Sequence, residues 1–101
     1  MIADGISKKD ELLLTIDAGT QSIRAALVDL SGHIRDMVKT PITPYFSPQP
    51  GWAEQDPEYC WSMLCRTCQT LWTRAGEAKG RIKGVSVTTQ RATVVNMDEK
   101  G

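Results

Sequence analysis

The sequence lacks long apolar runs and an excess of charge of either sign. No stretch approaches the length of a signal-peptide core or of a membrane span. The 101 residues carry 12 basic and 12 acidic side chains, so the clustered positive charge that binds nucleic acid or an anionic membrane is also missing. We therefore expect a cytoplasmic chain of at most one small domain, with neither nucleic acid nor membrane as a partner.

The sequence also lacks the even number of cysteines that a disulfide framework uses. The three cysteines lie in one stretch, at Cys60, Cys65 and Cys68, which argues against a disulfide framework and agrees with a reducing compartment. Their C-x4-C-x2-C spacing matches a plant-type iron–sulfur ligand run, but such a cluster needs a fourth cysteine. Because the neighbouring apolar residues recur at helical spacing, the thiols are predicted to pack as small apolar side chains on a helix.

What the sequence does contain is an apolar run, residues 12–16, that ends in Asp17 and turns through small residues into a second apolar run. Gly19 has no Cβ, so backbone N–H groups there could close on a phosphate in conformations that other residues resist. Thr20 and Ser22 add hydroxyl donors to the same loop. This pattern is typical of a phosphate-binding turn.

The acid before this loop needs its own explanation, because a carboxylate repels a phosphate. Asp17 therefore indicates a divalent cation, Mg²⁺ held through water, between the carboxylate and the phosphates. Arg24, on the second apolar run, could supply compensating positive charge. The same residues also suit an ordinary hairpin with a turn of Gly, Thr and Ser, so the loop by itself leaves both interpretations open.

The first half of the chain predicts a three-stranded antiparallel meander. The strands are expected over 12–16, 23–28 and 33–40, the first central and covered on both faces and the third a polar edge strand. Gly32 is expected at positive φ in the turn between the second and third strands. Residues 41–57 contain all five prolines and are expected to form an extended surface loop.

The second half predicts a crossover helix and a further strand. Asp56 as N-cap and Pro57 at the first position begin a helix that ends near Gly76. Residues 82–89 should return as a strand parallel to an earlier one, and 93–97 should form another short β run. The predicted core stripe of the helix is apolar at helical spacing: Trp61, Leu64, Cys68, Leu71, Trp72 and Ala75.

The element order and the Asp-x-Gly-Thr turn resemble the start of the ribonuclease H-like fold of actin-like ATPases. Three segments together resemble the N-terminal part of the FGGY family of carbohydrate kinases: 17–22 with Arg24, 50–57 with Trp61, and 84–91. The resemblance covers about residues 12–101 and implies an α/β fold, a truncated part of such a domain, after a flexible N-terminal tail over 1–11.

The resemblance implies ATP-dependent phosphoryl transfer to a sugar, polyol or related hydroxyl compound, with ATP and Mg²⁺ as cofactors. An arginine at a strand end offers a rigid fork of donors to such hydroxyls, and a glutamine offers both donor and acceptor. Carried over residue by residue, the roles are Asp17 near Mg²⁺, Gly19, Thr20, Gln21, Ser22 and Arg24 at the ATP phosphates, and Gln90 and Arg91 facing the acceptor.

The resemblance also implies that the catalytic base, the adenine pocket and a second domain lie beyond residue 101. The isolated chain is therefore expected to be inactive, because phosphoryl transfer needs several parts at once. Its open sheet edge and uncovered apolar surface are expected to cause self-association between copies.

Ala92 departs from the glycerol kinases of this family, in which a Glu follows the matching Gln-Arg and accepts from substrate hydroxyls. Glycerol is therefore disfavoured, and a longer sugar or polyol is expected. Two other functions stay open. One is an ATP-hydrolysing relative of actin or Hsp70 without a sugar acceptor, against which the segment 50–57 argues; the other is a non-catalytic interaction domain that uses only the scaffold.

Overall fold

A four-stranded mixed sheet with one helix on one of its faces makes up most of the fold. The computed structural model describes residues 11–91 and 93–101, so the predicted tail, apart from Glu11, lies outside the described residues. The elements in chain order are strands β1, β2 and β3, helix α1, a 3₁₀ helix and strand β4. Their bounds are Leu12–Ala18, Ser22–Asp29, Ile34–Pro41, Pro57–Ala75, Gly76–Arg81 and Ile82–Thr89.

The topology of the sheet agrees with the prediction and identifies β1 as the earlier strand that β4 joins. Its order is β3-β2-β1-β4, with β1–β2 and β2–β3 antiparallel and β1–β4 parallel. The meander, the crossover helix and the returning parallel strand are thus confirmed, with strand ends that differ from the prediction by at most two residues. The central place of β1 and the edge place of β3 are confirmed too.

Turn and cap residues sit where their chemistry predicts. Gly32 has a φ of 90° in the β2–β3 turn, a backbone conformation that a Cβ disfavours. The Asp56 carboxylate accepts a hydrogen bond from the Glu58 N–H at 3.0 Å, with Pro57 beginning the helix. Gly76, at a φ of 57°, ends α1. The boundaries of α1 therefore follow from local sequence.

The core lies between α1 and one face of the sheet, to which β2 contributes most and its neighbours β1 and β3 contribute the rest. Leu71 and Ala75 of α1 pack there, and Thr67, one turn before Leu71, is fully buried with its hydroxyl hydrogen-bonded to the Met63 carbonyl and the Thr40 hydroxyl at 2.7 Å each. Both bonds satisfy a polar group that burial would otherwise penalise. The strand residues of this core are Leu12, Ala25, Leu27 and Val38.

Two members of the predicted helix stripe are exposed, and the prediction that they lie in the core is wrong for them. Trp61 is 62% exposed and Trp72 is 46% exposed. Thr67, Leu71 and Ala75 recur every four residues and face the sheet, whereas both tryptophans lie on the adjacent flank of the helix. That flank is open because α1 packs against β2 and β3.

The cysteines of α1 are all free thiols with intermediate burial. Burial raises the pKa of the Cys68 thiol, and the neighbouring Cys65 raises it further. Desolvation disfavours the thiolate, which is the form that ligates metals and reacts as a nucleophile. Cys68 accordingly behaves as the small apolar side chain that the helical spacing predicts.

Two further expectations are wrong. The first strand is not covered on both faces: Leu13, on the face opposite α1, is exposed, because within the described residues no second helix packs there. Residues 93–97 are not a strand. The described backbone hydrogen bonds join no neighbouring strand to this segment, and an extended backbone becomes a strand only through such pairing. No helix of residues 11–91 and 93–101 combines the length and apolarity needed to cross a membrane.

Candidate functional site

The candidate site lies where the parallel strands β1 and β4 end side by side. Ala18 and Thr89 are register partners at the last position of the two strands. The Gln90 N–H continues the ladder by donating to the Ala18 carbonyl at 3.0 Å. Because the carboxyl ends of parallel strands meet at one edge of a sheet, the loops that follow them meet there too. The loop after Ala18 and the Gln90–Arg91 pair are therefore neighbours, although 70 residues separate them.

The β1–β2 loop closes tightly on itself. The Gly19 N–H donates to the Ser22 carbonyl at 3.0 Å, and the Gln21 carbonyl accepts from the Ile42 N–H at the same distance. A Cβ at position 19 would lie only 3.0 Å from the Ser22 oxygen. Glycine is thus required at position 19 by close approach, and not by the unusual backbone conformation that the sequence suggested: its φ is not among the positive ones.

A chain of side-chain hydrogen bonds, which we call the glutamine relay, links this loop to two distant segments. The Thr20 hydroxyl donates to Gln90 Oε1 at 3.2 Å, and Gln90 Nε2 donates to Gln55 Oε1 at 2.9 Å. Gln55 Nε2 in turn donates to the Pro44 carbonyl at 2.6 Å. All four residues are partly buried. The relay brings together the three segments that carried the family resemblance.

Gln55 was missed as a functional residue by sequence reasoning. It stands in the segment 50–57, where Asp56 and Pro57 are explained by the helix cap and draw attention away from it. The signal in the sequence was that each of the three segments resembling the family contains one glutamine: Gln21, Gln55 and Gln90. A single sequence does not reveal that the amides of Gln55 and Gln90 meet, because that contact depends on how residues 41–57 fold back along the sheet edge.

Two opposite charges flank the loop as cross-strand neighbours. Asp17 of β1 pairs in register with Arg24 of β2, and Arg24 Nη1 lies 3.4 Å from Asp17 Oδ2. The two side chains are 42% and 51% exposed, for Arg24 and Asp17 respectively. A surface ion pair of this kind contributes about 0–1 kcal/mol to stability. Both charges therefore stay available to a ligand.

The remaining predicted site residues differ in how the fold holds them. Ser22 is buried at the start of β2, where it packs under the loop, whereas Gln21 is exposed at the loop tip. Arg91 is exposed directly after the relay residue Gln90, and within the described residues no hydrogen bond or ion pair is formed by its side chain. Ala92 lies outside the described residues. No group of three or more His, Cys, Asp or Glu side chains in the described part of the chain could by itself hold a metal ion.

Comparison with known proteins identifies the class of fold. The chain superposes on the crystal structure of xylulose kinase from Rhodospirillum rubrum with a TM-score of 0.81 at 36% identity. The match covers 90% of this chain and 18% of that one. The mixed sheet with its crossover helix and parallel strand is thus part of an actin-like ATPase fold.

The family is identified by the match over residues 12–101 to the FGGY family of carbohydrate kinases, N-terminal domain. The chain belongs to this family. It is 35% identical over 91 residues to a glycerol kinase of Lactobacillus acidophilus, covering 90% of this chain and 18% of the relative. It is 39% identical over 85 residues to a glycerol kinase of Citrifermentans bemidjiense, covering 84% and 17%. The chain therefore spans about 18% of the length of the curated relatives that it matches.

Proposed function

We propose that this chain forms the phosphate-binding and acceptor-facing part of an ATP-dependent kinase that phosphorylates a hydroxyl group of a sugar or polyol. One observation carries the proposal: Thr20 of the phosphate loop is hydrogen-bonded to Gln90 at the acceptor end. The nucleotide phosphates and the acceptor hydroxyl would then bind side by side, as in-line phosphoryl transfer requires. Neither an ATPase without a sugar acceptor nor an interaction domain has need of this juxtaposition.

The donor groups at this edge fit Mg²⁺ with a nucleotide. Mg²⁺ commonly takes one or two protein carboxylates and completes its shell with substrate phosphates and water, and Asp17 offers one half-exposed carboxylate. When bound, the ion would neutralise charge on the transferring phosphoryl group. We assign Asp17 to the ion, and we assign to the ATP phosphates the loop residues and their neighbouring cation: Gly19, Thr20, Gln21, Ser22 and Arg24.

The acceptor is assigned to the residues after β4. Arg91 would donate to acceptor hydroxyls and Gln90 would hold the end of the strand in place, whereas the side chain of Ala92 has no atom that accepts from a hydroxyl. A buried hydroxyl without a partner costs about 1–3 kcal/mol, or about one to two orders of magnitude in specificity. We therefore propose an acceptor longer than glycerol, and a cytoplasmic site of action, where free thiols such as those of α1 persist.

The test is ADP formation by the full-length gene product with ATP, Mg²⁺ and a panel of sugars and polyols that includes glycerol. We expect acceptor-dependent turnover, with kcat/KM for the best longer acceptor about 10- to 100-fold above that for glycerol. The 101-residue chain alone should give none. ADP formation that no acceptor stimulates would favour an ATPase, and glycerol as the best acceptor would overturn the role given to Ala92.

The division of roles is tested by Arg91→Ala in the same full-length protein. Removing the guanidinium should lower kcat/KM for the acceptor about 10- to 100-fold while the Kd for ATP changes by less than about 2-fold. Arg66→Ala, an exposed arginine on α1, is the matched control and should change neither. If Arg91→Ala weakened nucleotide binding and spared the acceptor, the assignment of this strand end would be wrong.

A further inference from the structure

The glutamine relay is chemically consistent in only one direction. The Pro44 carbonyl can accept a hydrogen bond but never donate one, so Gln55 must present its Nε2 to it. The Gln55 Oε1 then faces Gln90, and because that oxygen only accepts, Gln90 must present its own Nε2. The Gln90 Oε1 is left for Thr20, whose hydroxyl must therefore donate. A backbone carbonyl thus sets the orientation of two carboxamides and one hydroxyl.

We propose that Gln55 is a positioning residue of the site, which orients the Gln90 carboxamide and thereby commits the Thr20 proton to Gln90. A hydroxyl has one proton and two lone pairs. Once the proton is given to Gln90, the Thr20 oxygen offers only lone pairs to whatever binds the loop. Thr20 would then lie beside the ATP phosphates without donating to them: its oxygen would accept from water or an N–H or O–H group, or contact a cation. The inference rests on the proposed function for its kinetic consequences.

The backbone on both sides of Gln55 is held in place, which a positioning role requires. Glu54 and Phe46 exchange both of their backbone hydrogen bonds at 2.9 Å. On the other side, Asp56 caps α1. The Gln55 side chain therefore projects from a fixed point between a strand-like bridge and a helix N-terminus, although 41–57 contains no long regular element. Its place is set by these neighbours and not by the loop as a whole.

A double-mutant cycle in the full-length protein tests the proposal. Gln55→Met keeps the length of the side chain and removes both hydrogen bonds, and Thr20→Val removes the hydroxyl. Each change should lower kcat/KM and raise the Kd for ATP with Mg²⁺ about 3- to 10-fold, the size expected for one misdirected hydrogen bond. Because Gln55 and Thr20 communicate only through Gln90, the double variant should be no worse than Thr20→Val.

A conservative variant separates positioning from general loop stability. In a Thr20→Ser background, which keeps the hydroxyl, Gln55→Met should again raise the Kd for ATP and lower kcat/KM by the same factor as in wild type. Gln69→Met, on the exposed side of α1, is the matched control and should cost nothing. If Gln55→Met should fail to fold, Gln55→Glu gives a second test: its carboxylate still accepts from Gln90 and keeps that carboxamide oriented, although it loses the donor to Pro44. Gln55→Glu should therefore leave the Kd for ATP nearly unchanged, and a loss as large as that of Thr20→Val would overturn the proposal.

An equal cost of Gln55→Met in the Thr20→Val and wild-type backgrounds would overturn the proposal, because the effect would then be structural. No loss from Gln55→Met in any background would overturn it as well. The Kd cycle needs no acceptor, so it decides on the relay even if the wild-type protein phosphorylates no sugar or polyol. A wild-type protein that phosphorylates no sugar or polyol would refute the proposed function but would leave the conclusion about the relay unchanged.

Discussion

Asp17 and Asp29 both stand near the end of a strand before a tight turn, at opposite ends of the antiparallel pair β1–β2. The Asp29 carboxylate accepts from the backbone N–H groups of Ser31 and His33 at 3.0 and 2.9 Å. Arg35 donates to it through two nitrogens at 2.8 Å each, and only 9% of the side chain is exposed. Asp29 therefore has its hydrogen-bonding capacity occupied by its own turn.

Asp17, by contrast, has most of its hydrogen-bonding capacity free within the described residues. Its one described partner is Arg24 at 3.4 Å, and half of its side chain is exposed. The two acids precede similar small-residue turns, Asp17-Ala-Gly-Thr and Asp29-Leu-Ser-Gly. The comparison shows that residue type and a following turn do not tell whether an acid is occupied within its own fold, as Asp29 is, or left accessible, as Asp17 is; the number of its partners within the fold does.

The largest effect is expected from Asp17→Asn. Without the carboxylate that we assign to Mg²⁺, kcat/KM of the full-length protein should fall about 100-fold or more, the scale at which removal of one transition-state charge contact is felt. The melting temperature should hardly move, because the exposed pair with Arg24 is worth about 1 kcal/mol at most. Kinetics and thermal unfolding of the same preparation measure the two effects. A variant that is less stable but has an unchanged kcat/KM would show that Asp17, like Asp29, serves the fold.

A smaller kinetic effect is expected from Gly19→Ala. The new Cβ would meet the Ser22 carbonyl at 3.0 Å, and because that atom is backbone, the loop must shift by a few tenths of an ångström. We expect the Kd for ATP to rise about 10-fold, which corresponds to about 1.4 kcal/mol. Gly80→Ala is the control, because a Cβ there would have no neighbour within 4 Å. Equal effects of the two substitutions would show that close approach is not what requires Gly19.

Sequence reasoning predicted the antiparallel meander, the caps of α1 and the tight turn after β1 because these depend on local chemistry. Gly32 at positive φ and Asp56 before Pro57 are examples. It failed where the outcome depends on what covers a surface. Trp61 and Trp72 have the periodicity of core residues, but both stay largely exposed, since no further helix or strand of the described residues covers their flank. It missed the glutamine relay for a related reason, since Gln55 meets Gln90 only through the path of a proline-rich loop.

Asp29→Asn should affect stability and spare catalysis. The N–H of His33 and the Arg35 guanidinium hold the pKa of Asp29 below its ordinary value, against the opposing effect of burial. The folded protein thus binds this proton more weakly than the unfolded chain, so ionised Asp29 stabilises the fold above the ordinary carboxyl pKa and loses that contribution as the pH falls through the lowered value. His33, whose Nδ1 lies 3.3 Å from Asp29, adds attraction only when protonated.

Melting curves of wild type and Asp29→Asn across pH measure this contribution. The variant should melt at a lower temperature near neutral pH. The difference should shrink below about pH 4, where the Asp29 carboxyl begins to protonate in the unfolded chain while the folded protein still holds it ionised. The Kd for ATP should match that of wild type. A melting-temperature difference that stayed constant down to about pH 2 would mean that Asp29 stabilises the turn without its charge.

An effect on stability alone, with no kinetic effect, is expected from Gly32→Ala, the counterpart of Gly19→Ala in the other turn. No atom lies within 4 Å of a Cβ at position 32, so the cost comes only from the φ of 90° and should be about 1–2 kcal/mol of stability. Gly32→Asn should cost less, because asparagine tolerates positive φ better than alanine. Neither variant should change the Kd for ATP, since this turn lies at the far end of β2 from the phosphate loop. Thermal unfolding ranks the stability of wild type and the two variants. An asparagine variant no more stable than the alanine variant would show that something other than backbone conformation determines the stability of this turn. Weaker ATP binding would show that the two turns are coupled through β2.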